Sequence, residues 1–244
     1  MQVQEYYRIE RMEMTHFWYL GMRSLTLSLL AKHVRAPAKI LDAGCGTGGL
    51  AKDCAHYGYV AAIDINPTAI KFARKKNISS VKKASVCCLP FKSNFFDAVL
   101  CLDVLYHRDV PDDQEAVREL YRVLKRGGVL ILRVPAFEFL RGSHDIVVYT
   151  KKRYKASEIE KLVTGAGFQI VKLTYANMIL SIPLLFKRFY ERIFATKHKP
   201  HSDSALLPPL LNKAFEGILL FEGKILEHTD FPFGSSVVCV CSKP

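Results

Sequence analysis

The chain has 244 residues, 50% hydrophobic and 24% charged, which fits one large globular domain and excludes a disordered, collagen-like or coiled-coil protein. Its 35 Lys and Arg outnumber 23 Asp and Glu, giving +12, a balance suited to nucleic acid, an anionic membrane surface or a phosphorylated substrate. The seven cysteines lie mostly in apolar runs without C-x-x-C spacing, which argues against a disulfide scaffold and a metal site and for a reduced, cytoplasmic protein. Residues 1–13 lack the apolar stretch of a signal peptide, and the longest internal apolar run, 178–186, is too short to span a bilayer and contains Pro183.

In chain order, residues 1–35 mix aromatic and charged residues at helical spacing, and Leu20, Leu25, Leu27, Leu29 and Leu30 predict a helix ending before Ala36-Pro37. Short apolar runs then alternate with amphipathic stretches. Residues 39–41 read as a strand entering a glycine cluster, 50–57 as a helix, 60–63 as a second strand and 67–75 as a helix. Residues 81–86 are the expected third strand, 96–102 the fourth, 113–124 a helix and 129–134 the fifth strand. This alternation predicts a parallel sheet covered on both faces.

The rhythm then changes. Residues 156–166 read as a helix stopped by Gly167 and 168–174 as a strand, but the next strand-like run is 235–241. Between them, apolar helical stretches at 179–194 and 210–226 flank a polar, proline-bearing segment, 197–209. The expected organisation is an N-terminal helical segment (1–37), an α/β core (38–175 and 231–244) and an inserted helical cap (176–230).

Ile40-Leu41-Asp42-Ala43-Gly44-Cys45-Gly46-Thr47-Gly48-Gly49 has the form of a strand, a tight glycine turn and a helix start, a place where a ligand approaches the backbone. Gly44, Gly46 and Gly49 also spell the G-x-G-x-x-G of dinucleotide folds, so the turn alone leaves the cofactor open. Asp42, at the end of the first strand, suits an ammonium group or orders the loop. Asp64, at the end of the second, suits a pair of ribose hydroxyls.

Asp-x-Gly-x-Gly-x-Gly followed by this acid resembles the class I S-adenosylmethionine-dependent methyltransferases, over roughly residues 38–175. Leu89-Pro90-Phe91, Phe95-Phe96-Asp97-Ala98-Val99 and Glu119-Leu120-Tyr121-Arg122-Val123-Leu124-Lys125-Arg126-Gly127-Gly128 resemble later landmarks of its small-molecule, ubiquinone-type branch. The resemblance implies a Rossmann-like, doubly wound seven-stranded sheet with an antiparallel last strand, and S-adenosyl-L-methionine as cofactor. It implies that Asp42, Gly44, Gly46, Gly48, Asp64 and Ile65 hold the cofactor, with Ser85 and Val86 at the adenine and Leu102 near the methionine part. Ser85 stands where that branch commonly has an acid, so adenine is expected to be met by a hydroxyl and a backbone N–H.

For chemistry, Leu102-Asp103-Val104-Leu105-Tyr106-His107 follows the fourth strand, and His107 is a candidate general base, or else a helix-terminal histidine satisfied by carbonyls. His144 and Asp145, in a loop after the fifth strand, are candidates beside it. Arg153, with Tyr154, is a candidate clamp for a phosphate or carboxylate, or simply a basic approach to the next helix. His16-Phe17-Trp18-Tyr19, the Ser-His-Asp loop and Phe231-Pro232-Phe233-Gly234 together resemble a bacterial group of methyltransferases, which implies Arg23 at the methionine carboxylate.

The charge is local. Residues 151–200 hold eleven Lys and Arg against Glu158, Glu160 and Glu191, so this stretch carries +8. Its apolar helix either packs on the second cap helix, lies at an anionic membrane surface, or contacts RNA. The expected activity is methyl transfer, to oxygen, on a small-molecule or lipid-linked acceptor, in the cytoplasm or at the inner face of its membrane. The rivals are an RNA methyltransferase, disfavoured because no Asn-Pro-Pro-Tyr-like segment follows the fourth strand; an NAD-dependent oxidoreductase; and a catalytically silent cofactor-binding protein.

Overall fold

A computed structural model of the protein describes residues 1–193 and 207–244. Seven strands form one sheet: β1 (Ala38–Ala43), β2 (Gly58–Asp64), β3 (Ser80–Lys83), β4 (Phe96–Leu102), β5 (Leu124–Pro135), β6 (Gln169–Ala176) and β7 (Ser236–Ser242). Their order is β3-β2-β1-β4-β5-β7-β6. The pairs from β3 to β5 are parallel, and β7 is antiparallel to both its neighbours. The doubly wound fold with its antiparallel last strand is as expected. The order reverses between β1 and β4, and in open sheets of this kind ligands bind beyond the carboxyl ends of the strands at that reversal.

The strands are apolar on both sides because helices cover both faces. Leu41, Val99, Leu130 and Leu132 are buried with Leu120 of α5 (Asp113–Val123) and Ile159 of α7 (Ala156–Gly165). Their neighbours Ile40, Ala98, Leu100 and Ile131 point the other way, into a core shared with Leu25 and Leu30 of α2 (Phe17–His33) and Leu219 of α9 (Pro209–Leu226). Asn66 caps α4 (Pro67–Ala73), accepting from Thr68 N–H at 2.8 Å.

Several boundaries differ from the sequence reading. Residues 1–35 form two helices, α1 (Val3–Met12) and α2, because the chain turns after Met12 and His16 Nδ1 accepts the Trp18 N–H as an N-cap. The third strand stops at Lys83, since Ser85 turns the chain with its hydroxyl on the Cys87 N–H and its carbonyl on the Cys88 N–H. The expected helix at 50–57 is a five-residue α3 (Gly49–Asp53) followed by a 3-10 turn. β5 begins five residues early, running through Gly127 and Gly128.

α8 (Met178–Ile193) and α9 do lie between β6 and β7. Phe194, residues 197–206 of the expected linker, and with them Lys197 and Lys199, lie outside the described residues. α9 packs on α2: Leu219 sits against Gly21, Phe215 meets Phe17 edge-on at 5.3 Å, and Asn212 Oδ1 accepts the Phe17 N–H at 3.0 Å. Buried Glu222 of α9 accepts the Met178 and Ile179 N–H groups, placing a negative charge at the start of α8. The favoured expectation that α8 hides its apolar residues by packing on α9 fails for its outer face, where Phe186 and Phe189 are exposed. Among the described residues, no helix is long and apolar enough to cross a membrane.

Candidate active site

The loop after β1 is fixed by the backbone. Gly44, Gly46 and Gly48 have φ of +99°, +53° and +87°. The Gly44 and Cys45 N–H groups both donate to the Ile63 carbonyl of β2 at 2.8 Å. A side chain at Gly44 would collide with Val104, so this position is closed to other residues by space as well as by conformation. The Gly46 N–H donates to Asp64 Oδ2 at 3.0 Å and the Asn66 N–H to Oδ1 at 2.8 Å. Asp64 thus orders two loops, and each oxygen keeps acceptor capacity.

Asp42 is the unusual group. It is 4% exposed, accepts no hydrogen bond from the described residues, and lines a cavity of about 690 Å³. Burial, with the charge of Asp64 adding to it, pushes its carboxyl up to about 7. Burial also raises Asp64, against the lowering effect of the Asn66 and Gly46 N–H groups.

The cavity runs from the glycine loop, with Ile65, Ser85, Val86 and Leu102 at its edge, to an apolar end formed by Leu180, Leu184, Phe215 and Leu219. Its size is that of a small-molecule site. α1 lies across it. The Thr47 hydroxyl donates to Glu13 Oε2 at 2.6 Å, Lys76 pairs with Glu10 and Glu13, and the Gln2 N–H reaches the Val147 carbonyl beside α6 (Ser143–Val147). Tyr6 is buried beneath this helix, its phenol raised by burial and by Asp64. Sequence reasoning missed Tyr6 and Glu13, because the loss of register between α1 and α2 hid which face of residues 3–12 turns inward.

At the middle of the cavity, charges are already paired. Arg133 binds Asp103 Oδ2 through Nε and Nη2, at 3.0 and 2.5 Å, and its guanidinium lies 5.0 Å from the Trp18 ring. Arg153 Nε and Nη2 bind the two oxygens of Asp145 at 2.9 and 3.1 Å, and the Gly142 N–H donates to Oδ2 at 2.8 Å. Burial would raise Asp145, but Arg153 and these hydrogen bonds outweigh it and hold its carboxyl below the usual value. Asp145 is therefore an ionised anchor with both oxygens engaged, which corrects the expectation that it takes part in proton transfer. Arg153, in turn, is committed to Asp145 and the Ala136 carbonyl and is no anion clamp.

Two further expectations change. Arg23 lines the cavity, but its guanidinium pairs with Asp53 at 3.2 Å and donates to the Glu13 carbonyl at 2.8 Å, so meeting a carboxylate requires exchange of these partners. His107 also lines the cavity, yet its Nδ1 accepts the Asp109 N–H at 3.1 Å, and burial with the nearby Met1 amine lowers its pKa to about 4. Its Nε2 lies 2.6 Å from the Met1 amino group, so both ring nitrogens are already engaged and His107 meets an acceptor only after releasing Met1. His144, on α6, lines the same cavity. Asn177, at φ +62° between β6 and α8, is 2% exposed, donates to Ser236 Oγ at 3.2 Å, and leaves Oδ1 without a protein partner. No signal in the sequence marked it. Among the described residues there is no cluster able to hold a metal ion.

Residues 41–132 match the family of the methyltransferase domain. The chain carries a class I S-adenosylmethionine-dependent methyltransferase domain, and S-adenosylmethionine is its implied cofactor. Over 112 residues it is 39% identical to a ubiquinone biosynthesis O-methyltransferase of Xanthomonas oryzae, covering 41% of this chain and 46% of that protein. Over 122 residues it is 33% identical to a ubiquinone/menaquinone biosynthesis C-methyltransferase of Wigglesworthia glossinidia brevipalpis, covering 44% and 48%. The match thus spans less than half the length of either relative. A solved structure from Thermotoga maritima, described as an S-adenosylmethionine-dependent methyltransferase, has the same fold, with a TM-score of 0.63 and 21% identity over 99% of this chain and 96% of that one. The site fits the cofactor in a specific way: a buried carboxylate without a donor answers an ammonium group, and three positive-φ glycines leave the backbone bare beside it.

Proposed function

We propose that the protein is an S-adenosylmethionine-dependent methyltransferase acting at oxygen on a small-molecule or lipid-linked acceptor, in the cytoplasm or at the inner face of its membrane. The observation that carries this reading is the single cavity joining Asp42, Asp64 and the glycine loop to an apolar compartment under the cap. In this reading Asp42 receives the ammonium of the cofactor, Asp64 and Ile65 meet the ribose, Ser85 and Val86 the adenine, and the backbone of Gly44, Gly46, Gly48 and Leu102 the methionine part. Arg23 meets the carboxylate after releasing Asp53.

The bound cofactor supplies a methyl group on a sulfonium. The chain's task is to align an acceptor oxygen with it and to remove a proton. With Asp145 committed to Arg153 and both nitrogens of His107 engaged by Met1 and Asp109, His144 is the group that receives the acceptor proton. Paired Arg133–Asp103 and Arg153–Asp145 add no net charge to the cavity, which suits a largely uncharged acceptor.

Titration calorimetry with S-adenosylhomocysteine and with NAD tests the cofactor. Binding of the first alone is expected, and binding of NAD alone contradicts the reading. Transfer of a labelled methyl group to a panel of phenolic and lipid-extracted acceptors tests the rest: His144→Ala lowers turnover on a phenolic acceptor without altering S-adenosylhomocysteine affinity, and label found on carbon or nitrogen contradicts the oxygen assignment.

A further inference from the structure

We infer that the outer face of the cap is a docking surface for an anionic lipid bilayer. On α8, Ile182, Phe186, Phe189 and Ile193 recur at helical spacing on one side and are 53%, 70%, 64% and 56% exposed. The neighbouring α9 adds Leu210 and Phe221 at 85% and 60%. Single exposed apolar residues are ordinary on a soluble protein; a run of large ones along a helix marks a surface made to be covered.

Charge decides by what. On α8, exposed Lys187 stands within the same apolar run, its ammonium 3.8 Å from Glu191. Exposed Lys213 and Lys224 lie on α9. A second copy bringing up the same face would oppose like charges, whereas anionic headgroups neutralise them while the aromatic and branched side chains enter the acyl boundary. Arg188 is turned inward, its Nε donating to the Leu140 carbonyl at 3.1 Å and its Nη1 pairing with Glu191 at 2.8 Å, and so ties α8 to the body of the protein.

The surface is also continuous with the site. Leu180, Pro183 and Leu184, on the inner side of α8, line the cavity. One helix, about 10 Å across, therefore separates the docked bilayer from the acceptor compartment. This last step rests on the proposed acceptor role of the cavity, while the docking face stands on exposure and charge.

Flotation of the full chain with vesicles of phosphatidylcholine, and with vesicles in which part of it is replaced by phosphatidylglycerol, tests the inference. Binding to the second kind, weakened by salt, is expected. Phe186→Ser with Phe189→Ser should lower that binding at least about tenfold, with thermal midpoint and S-adenosylhomocysteine affinity unchanged. Three results overturn it: no flotation of the wild-type chain, equal flotation of the variant, or a wild-type dimer in sedimentation velocity that the variant dissolves, which would assign the face to a second copy. Loss of S-adenosylhomocysteine binding in a wild-type chain that still floats would refute the cofactor reading and leave the surface standing.

Discussion

The two ends of the cavity are built on different plans. At the glycine loop, recognition groups come from two adjacent strand ends and the turns after them: Asp42 and Gly44 to Gly48 beyond β1, Asp64 beyond β2. Their geometry is set by backbone hydrogen bonds and positive φ, and buried Asp42 accepts no hydrogen bond from the described residues. At the cap end, α2, β5, α6, α8 and α9 contribute side chains, together with Asn177 after β6. There Arg133 is matched with Asp103 and Arg153 with Asp145, and Leu180, Leu184, Phe215 and Leu219 form an apolar wall beside them. The first end holds an unsatisfied polar group for a fixed ligand, and the second presents shape with its electrostatics already neutralised.

The comparison breaks most severely at its rigid end. Gly44→Ala places a side chain into Val104 and forces φ +99° on a residue that resists it, so a loss of about 3 kcal/mol in urea unfolding and no measurable S-adenosylhomocysteine binding are expected. At the paired end, Arg153→Met leaves Asp145 buried without its cation. The expected cost is about 3 kcal/mol at neutral pH, and Arg153→Met with Asp145→Leu should recover much of it. Because the folded pKa of Asp145 lies below its unfolded value, the stability it contributes is present above the ordinary carboxyl range and is lost as pH falls through the folded pKa; the deficit of Arg153→Met therefore shrinks in acid. A stability curve parallel to wild type from neutral to acid pH would show that the pair is not what holds α6.

Asp64→Ala sharpens the contrast at smaller cost. It frees the Gly46 and Asn66 N–H groups and should weaken S-adenosylhomocysteine by about 100-fold in calorimetry. Leu184→Ala, at the cap end, should change that affinity less than about threefold while altering turnover on apolar acceptors. Equal effects of the two on cofactor affinity would erase the distinction between the ends.

The same division explains what the sequence revealed. The glycine turn, Asp42 and Asp64 are close in sequence and tied to strand ends, so period and motif place them, and the order of β1 to β5 follows from the alternation of strand and helix. The partners of Asp145 and His107 depend on contacts that no periodicity encodes: Arg153 is eight residues from Asp145 across a turn, and the Asp109 N–H reaches back to the ring of His107. Asn177 and Tyr6 enter the cavity only through long-range packing. The apolar run of α8 was visible as composition, but whether it faces a core or the outside is decided by α9 choosing α2 as its main partner.

In the proposed reading, buried Asp42 receives the cofactor's ammonium. Its raised pKa means that the folded protein holds a proton there through the range from about 4 to 7 that the unfolded chain would release, so stability falls as pH rises through this window and binding of an ammonium must expel the proton. S-adenosylhomocysteine affinity measured by calorimetry from pH 5 to 8, in wild type and Asp42→Asn, tests this directly. Affinity that drops about tenfold per pH unit below 7 in wild type, with one proton released on binding, and is weak and level in Asp42→Asn, is the predicted result. A level profile in wild type, or an Asp42→Asn variant that binds as tightly, would contradict it.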